Sequence, residues 1–302
     1  MKSLAKRIFL FLLLNAAIIL TVSVLLNIFD VKPYLAKSGI DYQALLVFCL
    51  IWGMAGALIS LSLSRLMAKW MMGVEVIDPD TTQTEERQLL QIVGQLVKRS
   101  GLPRMPEVGI YESEEVNAFA TGPTKSRALV AVSSGLLKRM NWVEVEGVLG
   151  HEISHVANGD MVTLTLLQGV VNAFVMFFAR VLAYAVTRIG KQKENTSTSP
   201  FLFNILVFVF EICFMILGMM VIAAFSRFRE FRADAGGARL AGAPAMIQAL
   251  TKLQTVSTIE DPRAQNSSFQ AFKISTKPGI LRLFATHPPL EDRIARLQGQ
   301  KV

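Results

Sequence analysis

The sequence has little charge, little cysteine and little histidine. Asp, Glu, Lys and Arg make up only 18% of its 302 residues, against about a quarter in an average soluble domain. Together with 52% hydrophobic residues, this composition excludes a disordered chain and most purely soluble folds. Cys49 and Cys213 both lie in apolar blocks, so we expect two small buried hydrophobes rather than a disulfide framework or a thiolate metal cluster.

The hydrophobic residues are concentrated in blocks that approach the roughly 20 residues needed to cross a bilayer core. The four blocks are residues 8–29, 44–63, 161–186 and 201–225. The first follows basic residues, as a signal peptide does, but it is too long and no small-residue cleavage site follows it, so we expect a retained anchor. The predicted fold class is an α-helical multi-pass membrane protein with four spans, whose immediate partner is the lipid bilayer.

The distribution of charge predicts the orientation of these spans. Basic residues follow the second span at Arg65 and Lys69, and the fourth span at Arg227, Arg229 and Arg232, whereas the loop between the first two spans sums to zero. The positive-inside rule therefore places both termini in the cytoplasm. The formal net charge is +8, but no block of five like charges occurs, so no nucleic-acid partner is expected.

The spans divide the chain into four parts. Residues 1–64 and 161–225 are predicted to form two transmembrane hairpins, and residues 65–160 and 226–302 the two halves of a water-soluble domain. Because an even number of crossings separates the two halves, they lie on one side of the membrane and can fold together. The polar run 191–200 predicts the turn of the second hairpin.

Two charged residues, Arg180 and Glu211, interrupt the second hairpin. A charge at membrane depth is costly and usually faces protein or water. The two residues could pair across the hairpin, or Arg180 could extend toward a nearby interface. The sequence leaves both interpretations open.

The first soluble half begins with a helix signal. Thr82 with Glu85 three residues later is typical of a capping box, and Gly101 followed by Pro103 is typical of a helix end. We therefore expect a helix over residues 85–100.

A small sheet is expected next. Residues 108–111 and 129–132 have strand composition, as does the segment 117–122 between them. Gly122 and Pro123 indicate the turn that separates this segment from the last strand.

The helix that follows carries the chemistry. Ser133 or Ser134 can cap a short helix, and Asn141 with Glu144 then predicts a second capping box, at the start of a helix over residues 142–157. Asn158 and Gly159 indicate its end.

Within this helix, residues 151–155 read His-Glu-Ile-Ser-His. Residues four apart project from one helical face, so His151 and His155 can bind one metal ion. Zinc suits such ligands, and a catalytic zinc site needs three protein ligands with a further position for water. Glu152 could then act as the general base on that water.

A third ligand is offered by Glu230, on a helix leaving the fourth span. Asp234 lies four residues later and could accept a hydrogen bond from the outer nitrogen of a ligand histidine. Alternatively, both carboxylates only pair with neighbouring arginines on a solvated helix. Composition alone favours this alternative.

Three motifs resemble the HtpX family of membrane zinc metalloproteases, relatives of the prenyl-protein (CAAX) protease. They are His151-Glu-Ile-Ser-His-Val-Ala-Asn-Gly-Asp160, Glu230-Phe-Arg-Ala-Asp234, and Thr286-His-Pro-Pro289 ahead of Arg293. The order of spans and motifs is similar along nearly the whole chain.

The resemblance implies one zinc ion per chain, bound by His151, His155 and Glu230, with Glu152 as catalytic base and acid and Asp234 behind a ligand. It implies a mainly α, zincin-like domain facing the cytoplasm of the bacterial inner membrane. It also implies a role in stress and in the disposal of damaged membrane proteins.

The resemblance further implies that Asn117, Ala118 and Phe119 form an edge strand that holds substrate backbone; an ordinary half-buried strand is the alternative. It places His287 and Arg293 near the active site, where they could stabilise an oxyanion.

Other roles are possible for three of the residues near the motifs. His287 could instead cap the following helix, and Arg293 could pair with Glu291 or Asp292 on the surface. Asp160 is interpreted as a cap of the third span, with orientation of a ligand histidine as the alternative.

The expected function is therefore a membrane-embedded zinc endopeptidase, whose substrates are membrane proteins, with its own chain as a further candidate substrate. The alternatives are a peptidase for short or lipidated peptides, and a catalytically silent scaffold or adaptor. Residues 256–279 are polar and broken by prolines, which predicts a flap or surface loop.

Overall fold

The computed structural model describes residues 35–36, 39–189, 199–256 and 279–299. Three sequence predictions lie wholly or largely outside these residues. They are the first span (8–29), residues 191–198 of the predicted turn, and residues 257–278 of the predicted surface loop.

Helices make up most of the described residues. They are α1 (Tyr42–Met71), α2 (Thr84–Ser100), α3 (Ser134–Arg139), α4 (Trp142–Asn158), α5 (Asp160–Ile189), α6 (Pro200–Ala241), α7 (Ala243–Val256), a 3₁₀ helix (Gly279–Phe284) and α8 (Leu290–Leu297). Three of them, α1, α5 and α6, are long and apolar enough to cross a membrane. They contain the predicted spans 44–63, 161–186 and 201–225.

The strands form two small sheets. The first is a pair, β1 (Leu35–Ala36) and β2 (Gly39–Ile40). The second contains β3 (Glu75–Val76), β4 (Glu107–Tyr111), β5 (Ala118–Thr124) and β6 (Arg127–Ser133) in the order β3-β4-β6-β5. In this mixed sheet β4 and β6 are parallel, whereas the β3–β4 and β6–β5 pairs are antiparallel. β5 is therefore an edge strand of the described sheet.

The sequence predicts a helix end at Gly101 and a turn at Gly122. Gly101, at φ 69°, ends α2 as predicted. The turn predicted at Gly122 and Pro123 is wrong, because β5 continues through both residues to Thr124 with a bulge in the pairing. Any Cβ on Gly122 would overlap the carbonyl of Arg127. Glycine at this position therefore allows β5 and β6 to approach closely.

The start of α2 also differs from the prediction. The expected capping box of Thr82 and Glu85 is wrong, since α2 begins at Thr84 and no side-chain hydrogen bond caps it. The hydroxyl of Thr81 instead donates to the Glu86 carboxylate.

The chain forms two compact units. One consists of the described residues up to 60 and of residues 164–222 where described, and holds most of α1 and α5 and the first half of α6. The other consists of residues 61–163 and the described residues from 223 onward, and holds the mixed sheet with α2, α3, α4, α7 and α8.

In the apolar unit, small residues let helices approach closely. A Cβ on Gly53 of α1 would lie 2.6 Å from the carbonyl oxygen of Gly169 in α5. Such small-residue contacts are typical of helix packing in membranes. Arg180 of α5 and Glu211 of α6 form an ion pair at 2.7 Å, and the Arg180 guanidinium lies 5.8 Å from the ring centroid of Phe48. The pairing interpretation is confirmed, and the interpretation in which Arg180 extends to an interface is wrong.

In the second unit, α4 lies at the centre of the core. Leu149 and Ile153 of α4 are fully buried in one hydrophobic cluster with Leu89 and Val93 of α2 and Val130 of β6. These aliphatic contacts lie on one side of α4. Its other side faces α6 and carries the two histidines.

Candidate metal centre

The helix α4 presents two histidines side by side. The rings of His151 and His155 lie edge to face with centroids 4.6 Å apart, and their Nε2 atoms are 3.1 Å apart. The predicted capping box of Asn141 and Glu144 fixes the start of the helix, and Gly159, at φ 72°, fixes its end. Both histidines are buried.

Glycines allow α6 and α7 to approach this helix closely. A Cβ on Gly237 of α6 would lie 3.0 Å from the backbone nitrogen of His151, and one on Gly150 of α4 would lie 3.2 Å from the Gly237 carbonyl oxygen. A Cβ on Gly147 of α4 would lie 2.5 Å from the carbonyl oxygen of Ala245 in α7. These contacts bring a carboxylate of α6 to the two imidazoles.

That carboxylate is Glu230, which is fully buried. Its Oε2 lies 3.3 Å from His151 Nε2 and its Oε1 lies 3.2 Å from His155 Nε2. The geometry at Oε1 does not make a hydrogen bond, so this atom has no hydrogen-bond partner among the described residues. The three groups form a possible metal site.

The spacing of the donors fits zinc. Ligands about 2.0–2.1 Å from a tetrahedral zinc ion lie about 3.3–3.4 Å from one another. His151 Nε2 and His155 Nε2 lie 3.1 Å apart, and each lies 3.2–3.3 Å from one of the two carboxylate oxygens of Glu230. Two imidazole nitrogens and a buried carboxylate oxygen without a hydrogen bond are also the donor set that zinc accepts.

Each histidine has a carboxylate on its outer nitrogen. Nδ1 of His151 lies 2.9 Å from Oδ1 of Asp234, and Nδ1 of His155 lies 2.7 Å from Oδ2 of Asp160. Such partners fix the orientation of a ligand ring. The contact expected of Asp234 is present, but the preference for Asp160 as a mere helix cap is wrong, because its buried side chain is bound to His155.

Arg293 lies behind Asp234. Its side chain is only 3% exposed, and Nε and Nη2 donate to the two carboxylate oxygens of Asp234 at 2.8 and 2.6 Å. Nη2 also lies 3.4 Å from Nδ1 of His151. The alternative of a surface pair with Glu291 or Asp292 is wrong, because Arg293 is buried and pairs with Asp234.

His287 is the most accessible histidine of the site. Its Nδ1 lies 2.8 Å from Oε2 of Glu230, and its side chain is 23% exposed, against 9% and 10% for His151 and His155. It does not cap α8, since the N-cap residue is Pro289 and no side-chain hydrogen bond caps the helix.

The alternative in which Glu230 and Asp234 only pair with arginines of their own helix is also wrong. Asp234 binds Arg293 of α8. Glu230 does lie 3.7 Å from Arg229 of α6, but it also contacts His287 and both histidines of α4.

The electrostatics of the buried groups agree with a cation-binding role. Burial lowers the pKa of His151, but hydrogen bonds to Asp234 and Glu230 raise it to about 10. Burial raises the pKa of Asp234, and the charge of Arg293 more than offsets this, so its pKa falls to about 2. Burial likewise raises the pKa of Glu230, yet His287 and the other histidines hold it well below its usual value. Without metal, a proton on His151 supplies positive charge between ionised carboxylates.

Glu152 is half-buried in α4, directly after His151. Its charge helps to raise the pKa of the Tyr111 hydroxyl, for which burial is the largest cause and Glu115 the second. Hydrogen bonds with Ser133 and Asn117 act in the opposite direction on Tyr111. The ends of β4 and β6, the residue before β5 and Glu152 are thus close in space.

The segment that contains Asn117 and Phe119 is tied to β6. Asn117 N donates to Ser133 Oγ at 3.1 Å, and Ser133 N donates to the Asn117 carbonyl at 2.9 Å. Ala118 begins β5, and Phe119 is buried against Tyr111 with ring centroids 5.7 Å apart. The segment therefore lies on an edge strand that packs against α4.

The fold and the site together define a membrane metalloprotease. Peptidase family M48 matches residues 83–301, and the chain belongs to this family. Its relatives include the protease HtpX homologs of Bacillus licheniformis, 51% identical over 98% of this chain and 99% of the relative, and of Bacillus subtilis, 48% identical over 98% of this chain and 100% of the relative. The resemblance to HtpX proteases is confirmed.

A solved structure has a similar fold. It is the crystal structure of Ste24p from S. mikatae, which matches 98% of this chain with a TM-score of 0.66 and 16% sequence identity. The chain spans 65% of the length of that protein.

Proposed function

We propose that the protein is a zinc endopeptidase, with one zinc ion per chain bound by His151, His155 and Glu230. The observation that carries this proposal is the buried set of two imidazole nitrogens 3.1 Å apart, each 3.2–3.3 Å from an oxygen of the Glu230 carboxylate. When bound there, zinc would polarise the scissile carbonyl and lower the pKa of a bound water.

Glu152 is the proposed general base and acid. It follows His151 on α4 and is only half-buried, so its carboxylate can reach water that enters the site. It accepts a proton from the attacking water and later delivers that proton to the leaving amine.

His287 and Arg293 have different proposed roles. His287 is 23% exposed at the edge of the site, so its ring can donate a hydrogen bond to the carbonyl oxygen as negative charge develops. Arg293 is 3% exposed and bound to Asp234, so it acts through Asp234 by holding His151. Asp160 holds His155 in the same manner.

The backbone of Asn117, Ala118 and Phe119 is the proposed binding edge for substrate. β5 is an edge strand that packs against α4, so an extended peptide could pair with it by strand addition. Because the ring of Phe119 is buried, this segment would bind substrate through its backbone rather than through that ring.

The proposed substrates are damaged or misfolded membrane proteins of the bacterial inner membrane, with the site and both termini facing the cytoplasm. Two observations support this proposal. The relatives are bacterial proteins named protease HtpX, and one helix, α6, holds both the apolar residues 201–225 and Glu230. Cleavage of the protein's own chain fits the same arrangement.

The experiment compares the parent with Glu152→Gln after reconstitution into lipid vesicles. The substrates are a membrane protein with an unfolded cytoplasmic tail, a short soluble peptide and a prenylated peptide. We expect the parent to cleave the tail and Glu152→Gln to cleave nothing. Cleavage restricted to the peptides would assign the protein to short or lipidated substrates, and absence of any cleavage would favour a scaffold.

A further inference from the structure

One arginine of α6 binds the chain segment that carries His287. Nη1 of Arg227 donates to the carbonyl oxygens of Ala285, Leu283 and Arg282 at 2.8, 3.2 and 3.5 Å. These carbonyls lie at and just after the end of the 3₁₀ helix, where helical hydrogen bonds run out. The Arg282 carbonyl also accepts from the backbone nitrogen of Ala285 at 3.2 Å. The two N–H groups of one guanidinium nitrogen are therefore shared among three acceptors.

The same two stretches of chain meet again at the metal centre. His287 follows Ala285 by two residues, and its Nδ1 lies 2.8 Å from Oε2 of Glu230. Arg227 and Glu230 are three residues apart in α6, so their side chains share one face of the helix. The segment is attached to this face at two points, one on its backbone and one on the His287 ring.

Two side chains of this segment lie near the surface. The side chain of Leu283 is 45% exposed, so apolar burial there is limited. The ion pair between Arg282 and Asp292 lies near the surface, with side chains 57% and 31% exposed, and such surface pairs contribute little to stability.

We propose that Arg227 is a positioning residue that docks the segment 282–287 onto α6 and thereby fixes His287 beside Glu230. The consequence for catalysis rests on the proposed function, because it requires His287 to act on substrate. Arg227 also contributes positive charge to the basic cluster that follows the fourth predicted span. A test must therefore separate the effect of this charge from the effect of docking.

Arg232 provides the matched control. It is exposed on the same helix, and Arg232→Ala removes the same charge from the same basic cluster. We expect Arg227→Ala to lower kcat by about 10- to 100-fold, because small displacements of a group in an active site have effects of that size. KM and zinc content stay near the parent values, and Arg232→Ala stays within about twofold of the parent.

Conservative replacement gives a second readout. Nη1 makes all three contacts of Arg227 through its two N–H groups, and a lysine ammonium offers three donors on one nitrogen. Arg227→Lys should therefore recover most of the kcat lost in Arg227→Ala. Failure of lysine to recover any activity would contradict docking through these carbonyls.

A double-mutant cycle decides whether Arg227 acts through His287. In a His287→Ala background, Arg227→Ala should lower kcat by less than about twofold, because the group that it positions is already absent. Equal losses with and without His287 would overturn the proposal, since they would show that the two residues act independently.

Hydrogen–deuterium exchange tests the docking without relying on activity. In a Glu152→Gln background, the peptide 279–287 should exchange at least several-fold faster with Arg227→Ala than with Arg232→Ala. Unchanged exchange would overturn the docking itself. If the parent has no peptidase activity, the proposed function fails, while this exchange measurement still decides the role of Arg227.

Discussion

Asp160 accepts a hydrogen bond from His155 at 2.7 Å, although the two residues belong to consecutive helices separated by a single glycine. Gly159, in a left-handed conformation, turns the chain so that the first residue of α5 faces back toward α4. The residue that precedes the third predicted span therefore also orients a proposed metal ligand.

Asp160→Ala should weaken zinc affinity about 10- to 100-fold, because loss of the outer partner of a ligand histidine typically has this effect. Chelator-buffered zinc titrations of the purified protein measure it. Asp292→Asn serves as the control, since that acid lies in a surface pair with Arg282. Equal affinities of Asp160→Ala and the parent would remove the orienting role of Asp160.

Gly147→Ala should lose zinc and unfold at a lower temperature. Its new methyl group would lie 2.5 Å from the backbone carbonyl of Ala245, and a backbone atom cannot move away without separating α4 from α7. Gly94→Ala is the matched control, because a Cβ on Gly94 of α2 would have nothing within 4 Å, and alanine there should stabilise the helix by about 0.5–1 kcal/mol. Equal zinc content and thermal midpoints in the two variants would contradict the close packing of α4.

Replacing either Arg180 or Glu211 alone should lower the free energy of unfolding in detergent by about 2 kcal/mol. The thermal midpoint should fall accordingly. The remaining charge would lose its partner, which now lies 2.7 Å away. Arg180→Met combined with Glu211→Leu should be less destabilising than either single change, since no unpaired charge remains. A double variant with the summed loss of the two singles would show that the residues do not interact.

Zinc affinity should increase with pH between about 7 and 9. The pKa of His151 is raised to about 10 in the metal-free protein, chiefly through Asp234 and Glu230 against the opposing effect of burial, so metal binding must displace a proton. In linkage terms, protonated His151 stabilises the metal-free fold below its unfolded pKa near 6.5, and this stabilisation is lost as pH rises through about 10.

Titrations at three pH values, with zinc buffered by a chelator, measure this dependence. At least one displaced proton gives about a tenfold increase in affinity per pH unit. An affinity that does not depend on pH would mean that His151 is neutral before zinc binds.

The sequence predicts α4 and its two histidines because the signals for this helix are local. The capping box of Asn141 and Glu144, the end at Gly159 and the spacing of the two histidines all lie within one stretch of chain. The residues alone predict the ligand role of Glu230 only weakly, because its neighbours are arginines with which it could pair. The family resemblance decided between these alternatives.

Other features of the fold and the site depend on tertiary contacts, which local sequence patterns do not predict. Arg293 lies among charged residues in an amphipathic helix, yet it alone of the charged residues in α8 is buried, against a carboxylate 59 residues earlier. Gly122 and Pro123 have the composition of a turn, but pairing with β6 extends the strand through them. The carbonyls that Arg227 binds carry no side-chain signal at all.

We propose that His151, His155 and Glu230 hold a zinc ion and that Glu152 acts as base on the attacking water. The most direct test measures zinc content and casein hydrolysis together, in the detergent-purified parent and in Glu152→Gln. We expect about one zinc per chain in both proteins and hydrolysis by the parent alone. Hydrolysis by Glu152→Gln at the parent's rate, or a parent that binds no zinc, would contradict this proposal.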